Sequence, residues 1–278
     1  MRRLTLSLGL VTAMFVMACE DDTEVDITAP TITLEEPVMG ESFAAGEELH
    51  FDAMFEDDVE LATFNLSIHD NFNGHSHGRV AVTPFDFDQS YTLSGKTQDV
   101  HEHIDIPVDA TAGPYHLVVD AIDAAGNATN FADGSSKEVE IWITNEEMAH
   151  VHFEDANGTE VEEYEGVVGE ELKFYGEIED EVGTLDHIEI VVGHLEDAEE
   201  HDHDHSHGRV LEENIYDKDV EAEGETSVLL QDLLEGESIV VTQSDLDELE
   251  EGEHLYLIVK VTDSDGNIAR HSIEIHFD

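Results

Sequence analysis

The feature that most constrains this chain is that it repeats itself. Gly46-Glu47-Glu48-Leu49-His50-Phe51 returns as Gly169-Glu170-Glu171-Leu172-Lys173-Phe174, and Glu56-Asp57-Asp58 returns as Glu179-Asp180-Glu181. His75-Ser76-His77-Gly78-Arg79-Val80 returns intact at His205–Val210, and Asp123-Ala124-Ala125-Gly126-Asn127 returns as Asp263-Ser264-Asp265-Gly266-Asn267. The offsets of 123, 123, 130 and 140 residues grow along the chain, as loop insertions in a second copy make them. Four blocks in one order define two copies of one unit, at 29–145 and 146–278.

Within each copy, short runs of alternating apolar and polar residues are separated by turn residues at intervals of about 8–12 positions. In the first copy these runs are 31–34, 48–55, 63–69, 79–83, 100–106, 115–122 and 138–143. Seven short strands in a unit of this size predict an all-β fold, two tandem immunoglobulin-like β-sandwiches. Asp123–Asn127 and Asp263–Asn267 then make the hairpin before the last strand, with Gly or Asn taking positive φ. The only helical signal is 244–251, where Ser244 is placed to cap; the first copy has 107–113 there instead.

Acidity narrows the function. The chain has 69 Asp and Glu against 10 Lys and Arg, a net charge of −59. A nucleic-acid binder needs a basic footprint, and an anionic lipid surface would repel this one. The acids alternate with Val, Ile, Leu and Phe, so the composition is not that of a disordered chain. Self-repulsion on this scale calls for salt or bound cations, and points to a saline habitat, a cation-binding role, or both. The single cysteine excludes a disulfide framework and a cysteine-based metal site.

That cysteine has another use. Arg2 and Arg3 precede a mostly apolar stretch, Leu4–Ala18, of signal-peptide length. Val16-Met17-Ala18-Cys19 resembles the bacterial lipoprotein signal, which implies cleavage after residue 18 and lipidation of Cys19. Residues 19–28 then form an acidic linker. Glu20-Asp21-Asp22 resembles a surface-export signal, so the expected place is the outer membrane, lipid-anchored and facing the surface, with a periplasm-facing anchor as the alternative. The lipid is the only membrane contact expected.

Eighteen histidines complete the pattern. In the first copy, His75 and His77 lie in a glycine-bounded loop, His69 ends the strand before it, and His116 opens a later one. His101 and His103 alternate along a strand and share a face. The end of the third strand and the start of the sixth are antiparallel neighbours in an immunoglobulin-like sandwich, which places His69 and His116 at one end. In the second copy the candidates are His194, His201, His203, His205 and His207. The stretch corresponding to His101–His103, near 237–242, has no histidine. The first copy therefore reads as a preorganised site and the second as a multidentate collecting loop. His50, His150, His152, His187, His254, His271 and His276 read as ordinary strand residues. Imidazoles without sulfur, among carboxylates, point to Zn²⁺, with Cu²⁺ or Ni²⁺ as alternatives.

The N-terminal Cys, Ala29-Pro30-Thr31-Ile32, the His-Ser-His-Gly-Arg block, His101-Glu102-His103-Ile104-Asp105-Ile106-Pro107 and Gly113-Pro114-Tyr115-His116 with Asp123, Gly126 and Asn127 together resemble an uncharacterised family of bacterial lipoproteins with an immunoglobulin-like fold. The resemblance covers 29–145 well and the second copy in part. It implies the fold and the anchor and brings no activity with it.

The expected function is capture, buffering or delivery of a divalent transition metal, with an envelope uptake receptor as partner. The rival is a structural or adhesive module whose histidines are incidental. An enzyme is not expected: Gly95-Lys96-Thr97 lacks the rest of a phosphate loop, no His-Glu-x-x-His occurs, and a metallo-hydrolase would need a cleft. Asp263-Ser264-Asp265-Gly266-Asn267 begins like a calcium loop but has Ile268 where glycine is required, and reads as a turn. Weak calcium binding by acidic loops stays open.

Overall fold

The computed structural model describes residues 25–72, 83–194, 214–222, 224–247, 249 and 253–277. The first copy runs β1 (Thr31–Glu36), β2 (Ser42–Ala44), β3 (Glu48–Glu56), β4 (Leu61–Asp70), β5 (Phe87–Thr92), β6 (Thr97–Asp105), β7 (Gly113–Asp123) and β8 (Lys137–Thr144). These strands form two sheets, β1-β3-β6 and β2-β8-β7-β4-β5. Every pairing is antiparallel except β2 with β8. The second copy runs β9 (His150–Glu154), β10 (Glu163–Gly166), β11 (Glu171–Leu172), β12 (Tyr175–Glu179), β13 (Leu185–His194), β14 (Tyr216–Glu221), β15 (Ser227–Leu229), β16 (Ile239–Val240), β17 (Leu255–Asp263) and β18 (Ile268–Phe277), with short helices α1 (Leu230–Leu233) and α2 (Gln243–Asp247). Its sheets are β9-β12-β15 and β10-β18-β17-β13-β14, with β11-β16 as a separate ribbon. This strand order is that of an immunoglobulin-like β-sandwich in both copies.

Alternation explains the layers. Along β3, Leu49, Phe51, Ala53 and Phe55 are buried and their neighbours point out. They meet Phe64, Leu66 and Ile68 of β4 and Leu117 and Val119 of β7 in one apolar cluster. Leu172, Phe174 and Ile178 do the same for the second core against Ile188, Ile190 and Val192. Tyr115, buried at the start of β7, donates its hydroxyl to the Thr111 carbonyl (2.7 Å) and accepts the Phe85 N–H (3.2 Å). This ties the β6–β7 connection to the core.

Three local expectations are refined. The expected strand at 79–83 lies outside the described residues but for Thr83, and the edge strand that the structure shows is β5, at 87–92. Its sequence is mostly polar because it pairs with β4 alone. Of the helix expected at 244–251 the described part is α2, and its start is fixed at Thr242 rather than Ser244: the Thr242 hydroxyl and N–H both donate to Asp245 Oδ2, at 2.8 and 2.6 Å. The turn at Asp123–Asn127 leads straight into the last strand only in the second copy; in the first, a 3₁₀ turn at Phe131–Asp133 intervenes.

Among the described residues, polar and ring contacts join the two sandwiches. Asn267 Oδ1 accepts the Ala112 N–H (2.9 Å) and the Asn145 side-chain amide (2.8 Å), and Ile268 N–H donates to the Ala112 carbonyl (2.8 Å). The Arg270 guanidinium sits 4.5 Å from the Trp142 ring centroid. Among the described residues no helix is long and apolar enough to cross a membrane.

Candidate metal centre

Because Leu49, Phe51 and Ala53 of β3 and Val100 and Ile104 of β6 point inward, Glu48, His50 and Asp52 of β3 and His101, His103 and Asp105 of β6 share the outer face of the sheet. The antiparallel register sets them opposite one another as Glu48–Asp105, His50–His103 and Asp52–His101. The result is a ladder of imidazoles and carboxylates two strands wide.

Its middle rungs converge. The His50 and His103 rings lie 4.5 Å apart, and His103 Nδ1 is 3.4 Å from Glu48 Oε2. One ligand atom each from Glu48, His50 and His103 falls within 4.8 Å of the other two. All three residues are exposed. His101, next along β6, is engaged by the Asp52 carboxylate through Nδ1. That hydrogen bond and the Asp52 charge raise the His101 pKa against the opposing effect of desolvation, and Asp99 and Glu35 raise it further. His101 is therefore engaged by Asp52, whereas His50 and His103 face each other.

Two imidazoles and one carboxylate are a donor set that zinc takes readily, with a fourth position open to water or another ligand. The strands fix the spacing of these donors and the neighbouring carboxylates concentrate cations.

The sequence placed His103 in the site and left out its two partners. His50 was read as an ordinary strand residue, and the structure makes it the ring opposite His103. The signal was present: Glu48-x-His50-x-Asp52 and His101-x-His103-x-Asp105 carry the same two-residue period on strands that pair across the sheet. What the sequence lacked was the register.

The other candidates of the first copy do not join them. His69 and His116 are directly opposite on β4 and β7, rings 5.6 Å apart, and His116 Nδ1 lies 2.9 Å from Glu138 Oε1. The Glu138 hydrogen bond raises the His116 pKa, burial lowers it, and the charges of Glu138 and Glu140 raise it again, for a net rise. This pair occupies the outer face of the other sheet, with the core between it and His101 and His103. A single site gathering His69, His101, His103 and His116 is therefore excluded. His75, His77, His201, His203, His205 and His207 lie outside the described residues, and for His194 only its place at the end of β13 is described. Elsewhere His152 pairs with Glu179 (3.1 Å), His187 with Asp219 (3.3 Å) and His254 with Glu274 (2.6 Å), as cross-strand residues do.

The second copy has no counterpart of the ladder among the described residues. Leu172 pairs with Ile239 as Leu49 pairs with Ile104, but Lys173 stands in the place of His50 and α1 interrupts the strand equivalent to β6.

No curated protein matches the chain. Among solved structures it is similar to the fibronectin(III)-like modules of Clostridium thermocellum CbhA (14% identity, 89% of this chain and 94% of that one, TM-score 0.26). It is also similar to a tetra-tandem repeat from the extending region of a large adhesion protein (11%, 88% and 48%, 0.31) and to a chimeric titin Z1Z2 tandem (10%, 89% and 99%, 0.27). At these values the fold rests on the strand order described above. Residues 17–141, which cover most of the first copy, match the family described as Domain of unknown function (DUF4625).

Proposed function

We propose that this chain is a cell-envelope lipoprotein, anchored through Cys19, that binds a divalent transition metal, zinc foremost, on the outer face of β3 and β6. The observation that carries this reading is the convergence of Glu48, His50 and His103. The site lies on an open sheet face, so a bound ion would be exchangeable, which suits capture, buffering or delivery to an uptake receptor. Cu²⁺ and Ni²⁺ suit the same nitrogen donors.

Calorimetric titration of the metal-free protein with Zn²⁺ near pH 7.5 tests it. Saturable binding at micromolar or better is expected, weakened at least tenfold in the His50→Ala/His103→Ala double variant. Both side chains are exposed, so the variant folds. Equal affinity in the two proteins would remove this site, and the absence of saturable binding would leave the structural or adhesive module as the better reading.

A further inference from the structure

A second cluster of potential ligands lies where the chain enters the first sandwich. Asp26 precedes β1, and Asp57 and Asp58 form the turn between β3 and β4. One carboxylate oxygen from each falls within 4.8 Å of the other two. Asp57 is only 9% exposed. Its Oδ1 is used by the turn, accepting the N–H groups of Val59 (2.9 Å) and Glu60 (2.7 Å). Its Oδ2 is buried with no hydrogen-bond partner, and so is Oδ2 of Asp26. The nearby ammonium of Lys96 donates to the Asp58 backbone carbonyl. The Asp26 carboxyl stands above its ordinary range: the Thr28 N–H lowers it, while desolvation and the charges of Asp58, Asp123 and Asp57 outweigh that bond.

Two buried carboxylate oxygens without donors, in a group of three carboxylates, are costly as they stand. A cation would satisfy both. An all-oxygen donor set selects a hard ion over zinc or copper, and carboxylates on irregular backbone suit the larger, geometrically tolerant Ca²⁺ over Mg²⁺.

The second copy shows what the same place does without a third charge. Asn145 stands five residues before His150, as Asp26 stands five before Thr31, and His150 and Thr31 hold equivalent registers against Glu179 and Glu56. Both side chains close the same turn, Thr28 N–H to Asp26 Oδ1 at 3.1 Å and Glu147 N–H to Asn145 Oδ1 at 3.0 Å. The Asn145 amide then donates to Asn267 Oδ1 at 2.8 Å. Asp180, the counterpart of Asp57, is 4% exposed and also keeps an unpartnered Oδ2. With a neutral amide in place of Asp26, however, no three ligand atoms converge there among the described residues.

We propose that Asp26, Asp57 and Asp58 form a calcium site that fastens the entering segment to the β3–β4 turn, with water completing the shell. It is separate from the histidine ladder and differs in ion class.

The test is a titration of the metal-free protein with CaCl₂ at constant ionic strength, by calorimetry and thermal melting. Saturable binding with Kd of about 10⁻⁵–10⁻³ M and a rise in Tm are expected. Asp26→Asn, which copies the arrangement of the second sandwich, should bind at least tenfold more weakly, lose the rise, and melt higher than the unsubstituted protein without calcium. Asp58→Asn should also weaken binding, and His50→Ala/His103→Ala should leave it unchanged. Wild-type calcium binding in Asp26→Asn, or no saturable binding at all, would overturn the proposal. So would an equal response to MgCl₂, which would reduce the effect to general screening.

Discussion

On β3 and β6 the first sandwich sets Glu48, His50 and Asp52 against Asp105, His103 and His101. At the corresponding place the second sandwich puts Lys173 in the gap between β11 and β12 and breaks the opposite strand with α1, whose end is held by Lys218 Nζ bonding the Leu233 carbonyl (2.9 Å) and Glu237 (2.7 Å). The inward residues barely differ: Leu49 and Phe51 become Leu172 and Phe174, all buried. The core specifies the sandwich, and the outward positions are free to carry chemistry in one copy and lose it in the other.

The hairpin turns differ in the same instructive way. Burial raises the carboxyl of Asp123, but the Asn127 side chain and the N–H groups of Asn127, Gly126 and Ala125 outweigh it, and the group ends below its ordinary range. Asp263 has the matching partners, yet its carboxyl is pushed up to about 6, by burial first, with the charge of Asp180 adding to it. The Asp263 turn is covered by the first sandwich through Asn267 and Ala112.

Asn267→Ala should break this difference most strongly. It removes acceptors from the buried Ala112 N–H and from Asn145 as well as the bond to Asp263, and should cost about 3 kcal/mol in chemical denaturation. Asn127→Ala, which loses only the side-chain bond to Asp123, should cost about 1 kcal/mol. Equal losses would mean that the junction adds nothing to the turn.

Next comes pH. The folded pKa of Asp263 lies above its unfolded value, so the folded state holds the extra proton. This residue's stabilising effect is full below about pH 4 and is lost as pH rises through about 6, on the order of 2 kcal/mol. Urea melts from pH 4 to 7 should show that loss in the unsubstituted protein and a flatter profile in Asp263→Asn. Parallel profiles would contradict it.

A smaller effect separates the cores. Tyr115→Phe strands the Thr111 carbonyl and the Phe85 N–H, and should cost about 1–2 kcal/mol and unfold the first sandwich earlier. The second core has Leu255 at the equivalent place; its buried tyrosine is Tyr164, whose hydroxyl donates to the Tyr175 carbonyl and accepts the Tyr175 N–H (3.3 Å), so this core keeps its own bond in the variant. An unchanged melt would show that water replaces the hydroxyl.

How much of this was legible follows from the range of each signal. The paired strands of the first copy were readable because burial on one face writes a period of two into Leu49–Phe55 and Leu117–Ala121. The common face of His101 and His103 followed from the same period. The strand β5 was not readable, because Asp88, Gln89 and Ser90 carry no apolar pattern at a sheet edge. His50 was missed because its partner is 53 residues away and only register brings them together. Asp26 and Asp57 were missed for the same reason: their meeting depends on where the entering segment docks.

The central claim is that metal goes to the β3–β6 face of the first sandwich before any other histidine. Imidazole NMR resonances assigned by single substitution, followed as Zn²⁺ is added below one equivalent, test it directly. The account predicts that the His50 and His103 signals move first and together, saturating near one equivalent while His69, His116 and His152 stay in place. Early movement of the His201–His207 signals, or of all histidines at once, would contradict it.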